Sequence, residues 1–531
     1  MGTYINLSIL TRNISKLEWE QIYEETLRLV DAFPFAGVAE REFFGYRLPV
    51  YVKAKENIAP ERHWVISGDL KSKRFAETFT LYRDIIHYQS TQLESSQKDI
   101  LFEEGQREID VFNSKTQGYE YHLYILAIAM LIESRLPQQA LVGGNIDYDQ
   151  CVQAKQWADQ YLSSPIDIPV RVDVDKLLSR GTHFKNEMDQ IQFIKKWLIA
   201  DQEEIYKTIY TRFSKATFTD WLCNELKTYS SPNQLGALKF LIYYLNIEAD
   251  LNGLLDMVCK SENGPQFSDS EIIRAIARTW VCLPREKFTF LDAFAKVSGH
   301  PEVTERQFGT VMLDMMFAGR EIKTYIPITE VAEILGDYLP DTASEIESLL
   351  KQEISKLEEQ LLAFHNQIQP TLEISKASTE EKMYLADEDA FLYFDSNTIV
   401  LTDEQELTLK AIAYSIKTFL NREGEGVLKG FLSVPLEKLK LILAAFVYEK
   451  YNMILTELAW QWIDKTDDPQ MVKTLLVKLI HDDANDLIHV KSHSDLRKAM
   501  FENKLLTQKL TKYMGDVTIM EEIRKYANQT D

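Results

Sequence analysis

EYHLYILAIAMLIESRL, residues 120–136, places apolar side chains on almost every side of a helical wheel. A helix of that kind has no face to offer water, so it belongs at the centre of a packed domain. Its longest apolar run, 123–132, is about half of what a bilayer span requires, so its cover must be protein. Gly143-Gly144 breaks the chain after it, and Asp147 with Gln150 forms a capping box that opens a helix running to about Leu162. Pro165 and Pro169 bracket an extended link, and a soft boundary falls near Arg180.

Upstream, residues 1–70 read as mixed α+β. Residues 4–10 alternate as a short strand. Ser15 and Glu18 make a capping box for a helix whose apolar face is Trp19, Ile22, Tyr23, Leu27 and Val30, ended by Pro34. Residues 46–54 and 63–67 read as strands joined by the polar segment 55–62, with Pro49 demoting part of the first to an edge. The order β-α-β-β suits part of a small α/β sandwich.

From Lys71 to about Tyr338 helical signals dominate, first as a segment to 180 packed on the N-terminal part, then as a bundle over 181–338. Helices are expected at 187–200, 218–229, 234–245, 270–282 and 304–317. No fixed repeat period appears, which weakens a solenoid against a bundle. In 339–375 the positions Leu350, Ile354, Leu357, Leu361, Phe364 and Ile368 follow 4-3-4-3-4 spacing, and Ser344 with Glu347 caps the start. About three heptads is short for an autonomous coiled coil, so the seam is expected to pack within the chain. Residues 376–382 read as a linker. Residues 391–394 and 398–401 flank Asp395-Ser396-Asn397 as a β-hairpin, Thr402 with Gln405 opens a helix, and 436–450 and 453–463 are helical within a C-terminal domain from 376 to 531. The expected fold is thus mainly α with a small α+β N-terminal part: a multi-helix bundle or irregular α-solenoid, plus a short β-hairpin near 391–401.

Composition restricts partners more than it selects a function. Asp and Glu number 81 against 59 Lys and Arg, a formal net charge of −22. That excess argues against a general nucleic-acid surface and against adsorption to anionic lipid, and it favours encounter with a basic protein. Cys151, Cys223, Cys259 and Cys282 are widely spaced, which suits neither a zinc site nor a disulfide framework. The N-terminus has no signal-peptide pattern, and Asn6 stands where a myristoylation site needs Ser or Thr. A cytoplasmic location is the expectation.

Walker A, GxGxxG, GxSxG, HExxH and EF-hand patterns are absent from the sequence. Gly143-Gly144 reads as a turn after a helix, and 422–426 (REGEG) as a solvated turn whose Glu423 and Glu425 would repel phosphate. The nearest approach to a site is HDDANDLIHVKSH, residues 481–493. Its candidates are His481, Asp482, His489 and His493, the two last four apart and on one face of any helix formed there. Against a metal site stands a polar helix–turn–helix connection, in which Asp482, Asp483 and Asp486 favour a turn and a helix start. Asp173 and Asp175, and the acids of 387–389, read as caps and solvated groups, and His122 as a core histidine. No catalytic residue and no cofactor is assigned.

Two resemblances accompany these residues. The His481-Asp482 pair resembles the metal-binding pair of HD-type phosphohydrolases, which need further His and Asp ligands that this sequence does not identify. Residues 14–34 and 115–169 resemble a family of large uncharacterised bacterial cytosolic proteins; the resemblance carries no activity and implies a bacterial cytoplasmic origin. The expected function is a non-enzymatic binding protein, in its concrete form an immunity or antitoxin-like protein that neutralises a basic partner through an acidic surface. The alternatives are a metal-dependent hydrolase with its site in the C-terminal helices, and a scaffold or regulator oligomerising through 345–368. The oligomeric state is left open.

Overall fold

The computed structural model describes residues 3–57, 62–89, 99–102, 108–291, 322–381, 399–423, 427–488 and 491–530. The chain forms two compact units, Met1–Val174 with Glu381–Asp531, and Asp175–Glu380. Helix accounts for 62% of the structure, but the fold expectation needs correction: the N-terminal part carries two sheets, of three and five strands, in place of a small α+β part and a short hairpin. Residues 391–398 of the expected hairpin lie outside the described residues, and 399–401 are not strand.

In the first unit, β1 (Tyr4–Ile9) runs between β6 (Ile109–Lys115) and β7 (Ala140–Gly144), antiparallel to both. The second sheet has the order β5 (Phe75–Tyr82), β4 (His63–Asp69), β2 (Phe35–Phe43), β3 (Tyr46–Lys53) and β8 (Leu455–Thr456). Strands β2 and β3 pair from Phe43 against Tyr46, so Phe44 and Gly45 are a two-residue turn, with φ of 54° and 77°. Two positive φ values match the right-handed twist of the hairpin they close. Helix α1 (Lys16–Ala32) begins with the expected capping box and buries Trp19, Ile22, Tyr23 and Val30. Helix α2 (Tyr121–Arg135) is the central element, with every side chain from Ile125 to Ile132 at 0% exposure. Each Ile or Leu buried there contributes about 1.5–3 kcal/mol relative to an exposed position. Helix α3 (Tyr148–Ala158) carries the second expected capping box, from Asp147 and Gln150.

Strands β5, β6 and β7 lie where helix was expected. Gly143-Gly144 is the end of β7 rather than a free turn: Gly143 pairs with Asn6 and Gly144 with Ile5. In the C-terminal part, Leu455 and Thr456 are strand, pairing in parallel with Val50 and Tyr51, and the helix expected from 453 starts at Glu457. The helices Asp403–Glu423, Leu436–Ala445, Pro469–Ala484, Lys491–Glu502 and Lys504–Gly515 pack with β2 and β3 around one apolar core that includes Leu48, Val50, Leu455, Trp460 and Leu475.

The second unit is a set of helices around a separate core. Helices Lys215–Lys227 and Leu235–Glu248 supply Phe218, Trp221, Leu238 and Leu241. Helix Ala343–Glu381 lays its heptad face, Leu350, Ile354, Leu357 and Leu361, into that same core. It starts one residue before Ser344, which therefore sits in the first turn and not at the cap. Arg274–Glu353 at 3.6 Å and Lys287–Glu358 at 3.8 Å flank the seam. Residues 304–317, expected as a helix, lie outside the described residues.

Gly144 has φ of +110°, and a Cβ there would lie 2.4 Å from the Tyr4 carbonyl oxygen. Gly144→Ala is expected to cost well over about 1 kcal/mol, read as a lowered urea midpoint. Leu357→Ala, at 6% exposure, is expected to cost about 2–5 kcal/mol with the molar mass by light scattering unchanged. A change in that mass would place the seam between chains.

Candidate functional site

Helix Pro469–Ala484 opens with Pro469 after the N-cap Asp468, whose side chain accepts the Gln470 amide hydrogen bond. Its buried face ends in charge. Lys478 and Asp482 stand four apart, the spacing that brings helical side chains together. Both are nearly inaccessible, at 1% and 0% side-chain exposure. Lys478 donates to both carboxylate oxygens of Asp482, Arg497 Nη1 donates to Oδ2 at 2.8 Å, and His481 Nδ1 lies 3.1 Å from Oδ1. Arg497 Nη2 also donates to the Ile488 carbonyl at 2.9 Å, and His481 Nε2 meets Ser415 Oγ at 3.0 Å.

Burial works against ionisation of Asp482, but the bonds from His481, Lys478 and Arg497 outweigh it and hold the carboxyl down at about 2. Burial pushes the Lys478 amine down to about 8, against the pull of Asp482. The structure therefore brings His481, Asp482 and His493 into one neighbourhood, while His489 lies outside the described residues. The oxygens that a metal would need are taken up by two cationic side chains and an imidazole, which is the composition of an internal ion cluster. Among the described residues no group of three or more His, Cys, Asp or Glu is placed to hold a metal ion.

The other sequence candidates scatter. Asp175 pairs with Arg212 at 2.6 Å, and residues 387–389 and 424–426 lie outside the described residues. His122 is buried, and its Nδ1 lies 2.6 Å from Thr116 Oγ1. Burial lowers its pKa, so it is held neutral.

A second polar cluster, invisible in the sequence, forms where helix Lys491–Glu502 crosses the five-stranded sheet. Arg74, just before β5, makes a two-pronged pair with Asp495, Nη2 to Oδ2 at 2.5 Å, and its guanidinium lies over the Tyr119 ring at 5.3 Å. Tyr51 of β3 and Phe75 of β5 stack almost parallel, 7° apart. The Lys498 ammonium rests on them, 4.1 Å from the Phe75 centroid and 5.7 Å from that of Tyr51. One turn further on, Glu502 accepts the Thr456 amide hydrogen bond at 2.9 Å and that of the Thr456 hydroxyl. These residues span positions 51 to 502, so no local spacing could have announced them; only the Asp495–Glu502 half lies on one helix.

No family model, no curated protein and no solved structure matches the chain. Among the described residues no helix is long and apolar enough to cross a membrane.

His493 tests the internal cluster. Its Nδ1 is buried with no hydrogen-bond partner among the described residues, and burial together with the Lys478 charge lowers its pKa to about 4. An unfolded histidine titrates near 6.5. Between about pH 6.5 and 4 the unfolded state therefore binds the proton first, and stability falls as pH falls. His493→Leu is expected to remove on the order of 1–3 kcal/mol of that decline, read from urea unfolding at pH 7 and pH 4. The Asp482 contribution is lost only lower, between about pH 3.9 and 2, so it does not mask the result. Equal pH slopes for the two proteins would show that His493 is not buried neutral.

Proposed function

We propose that the protein is a non-enzymatic binding protein that takes a basic protein partner on an acidic helical face, in the manner of an immunity protein or antitoxin. The net charge does not carry this reading, because the excess of acid is shared between the two units roughly in proportion to their lengths. One segment does. From Thr324 to Leu350 the sequence has Glu330, Glu333, Asp337, Asp341, Glu345 and Glu347 and no Lys, Arg or His. All six acids are exposed.

Helix Ile328–Tyr338 sorts them by its periodicity. Val331 and Leu335 are buried in the core of the second unit, while Glu330, Glu333 and Asp337 recur at three- and four-residue spacing on the opposite side. Among the described residues none of these three acids forms an ion pair. Glu347 is satisfied by Lys351 at 2.6 Å. The neighbouring cation Lys260 is already engaged, 3.6 Å from Asp256 and over the Tyr338 ring at 4.0 Å. Like charges left unpaired on one helix face destabilise it slightly by mutual repulsion, and a basic partner would relieve that cost. Such a surface acts mainly on association rate and partner choice, and it weakens as salt screens it over about 10 Å at 0.1 M.

The test is capture from a lysate of the source cells with the immobilised chain. A basic protein is expected to bind at low salt, to elute as ionic strength rises, and to bind at least about tenfold more weakly to Glu330→Lys/Glu333→Lys/Asp337→Lys. Capture that is indifferent to both salt and the triple substitution overturns the reading.

A further inference from the structure

The acidic helix of the second unit ends beside a cation. Tyr338 is its last residue, directly after the exposed Asp337. The Tyr338 hydroxyl meets the Asn252 carbonyl at 3.0 Å and Asp256 Oδ1 at 2.9 Å, which fixes the ring. Residues Asp256–Lys260 form a single π-turn, closed by the Ser261 amide donating to the Asp256 carbonyl at 2.9 Å. Turns of this width are rare, and they recur at functional sites. Across this one the Lys260 ammonium comes to rest 4.0 Å from the centroid of the Tyr338 ring and 3.6 Å from Asp256 Oδ1. It forms no hydrogen bond among the described residues, and its side chain is 58% exposed. Lys440 and Lys478, by contrast, are buried and donate directly, to the Asp464 carbonyl at 2.7 Å and to Asp482. An exposed cation–π contact and a long exposed ion pair are both weak, so Lys260 is held loosely where it lies.

Resting on the acidic-face reading, we infer that the Tyr338 ring and the Asp256 carboxylate seat an arginine of the basic partner, and that Lys260 is the displaceable occupant of that seat. The chain itself shows that a cation is accepted there. A guanidinium suits the place better than an ammonium. It is planar, so it lies flat on the ring, and its edge presents a fork of N–H donors to the adjoining carboxylate. The seat continues the row of Glu330, Glu333 and Asp337 on the same helix. Those acids supply attraction at a distance, and the aromatic face supplies choice at contact. Lys260 competes from within the chain. Apparent affinity falls in proportion to the fraction of molecules in which the seat is open, so the lysine sets a threshold that a weak or poorly placed cation does not pass. Once displaced, its ammonium enters water on a flexible four-carbon stem.

The experiment is titration of the full-length chain against a short fluorescein-labelled oligoarginine peptide at low salt, read by fluorescence anisotropy. Lys323 is the matched control: its side chain is also 58% exposed and lies 3.5 Å from a carboxylate, that of Glu203, with no cation–π contact among the described residues. Lys260→Ala and Lys323→Ala change the net charge equally. Lys260→Ala is expected to bind the peptide about two- to fivefold more tightly than Lys323→Ala, the factor that one exposed cation–π contact represents. In a Tyr338→Leu background that gain should vanish, and a gain that persists there overturns the aromatic seat. Equal affinities of the two lysine variants overturn the inference even where Tyr338→Leu does not fold, and they leave the acidic face standing. Failure of the acidic face reads differently: peptide binding would be unchanged by Glu330→Lys/Glu333→Lys/Asp337→Lys, which overturns both.

Discussion

Two residues, Leu455 and Thr456, decide how the first unit is built. As β8 they form the edge of the five-stranded sheet, so the helices beyond 400 share a core with a sheet made by residues 35–82. A two-residue parallel pairing contributes little through its backbone bonds alone. What holds it is the side chains. Leu455 is fully buried beside Val50 and Trp460, and Glu502 binds both the amide and the hydroxyl of Thr456. The same hydroxyl accepts the Ala459 amide hydrogen bond and so starts the next helix. A charge-assisted bond of this kind is about twice as strong as a neutral one, and here it is shielded from water.

From that junction follow the two treatments of charge in this unit. Asp482 is surrounded by Lys478, Arg497 and His481, with almost nothing exposed, and removing one partner of such a cluster leaves an uncompensated internal charge. Lys498, on helix Lys491–Glu502, rests on aromatic faces, and the nearby carboxylates are committed to Arg74 and Thr456. One arrangement surrounds a buried carboxylate with cations; the other sets a cation against aromatic faces. The second unit has an apolar core of aromatic and aliphatic side chains, and its acids remain on the outside.

Much of the helical content was legible because periodicity is local. The capping boxes at Ser15–Glu18 and Asp147–Gln150, the buried helix across Ile125 to Ile132, and the heptad face of Leu350, Ile354, Leu357 and Leu361 all appear as their spacing implies. The strands were less legible. Strand β2, FAGVAEREF, is rich in small and charged residues of low strand preference, and β7, ALVGG, is short and ends in glycines. They are strands because neighbours pair with them, and that stabilisation is not written in their own composition. The candidate pair His481-Asp482 was visible as an acid beside an imidazole, but its meaning depended on Arg497, fifteen residues away, and on the i,i+4 partner Lys478.

The sequence by itself determined the buried character of residues 120–136, the position of most helices, the acidic balance, and the exposed run of acids from 324 to 350, since each depends on residues close along the chain. Tertiary structure alone decided that β1 would gather Ile109–Lys115 and Ala140–Gly144, that Leu455–Thr456 would close the second sheet, and that Lys498 would lie on Tyr51 and Phe75. The reason is physical: strand pairing and the environment of a buried charge are set by groups up to hundreds of residues distant, whereas a helix is specified largely by its own face.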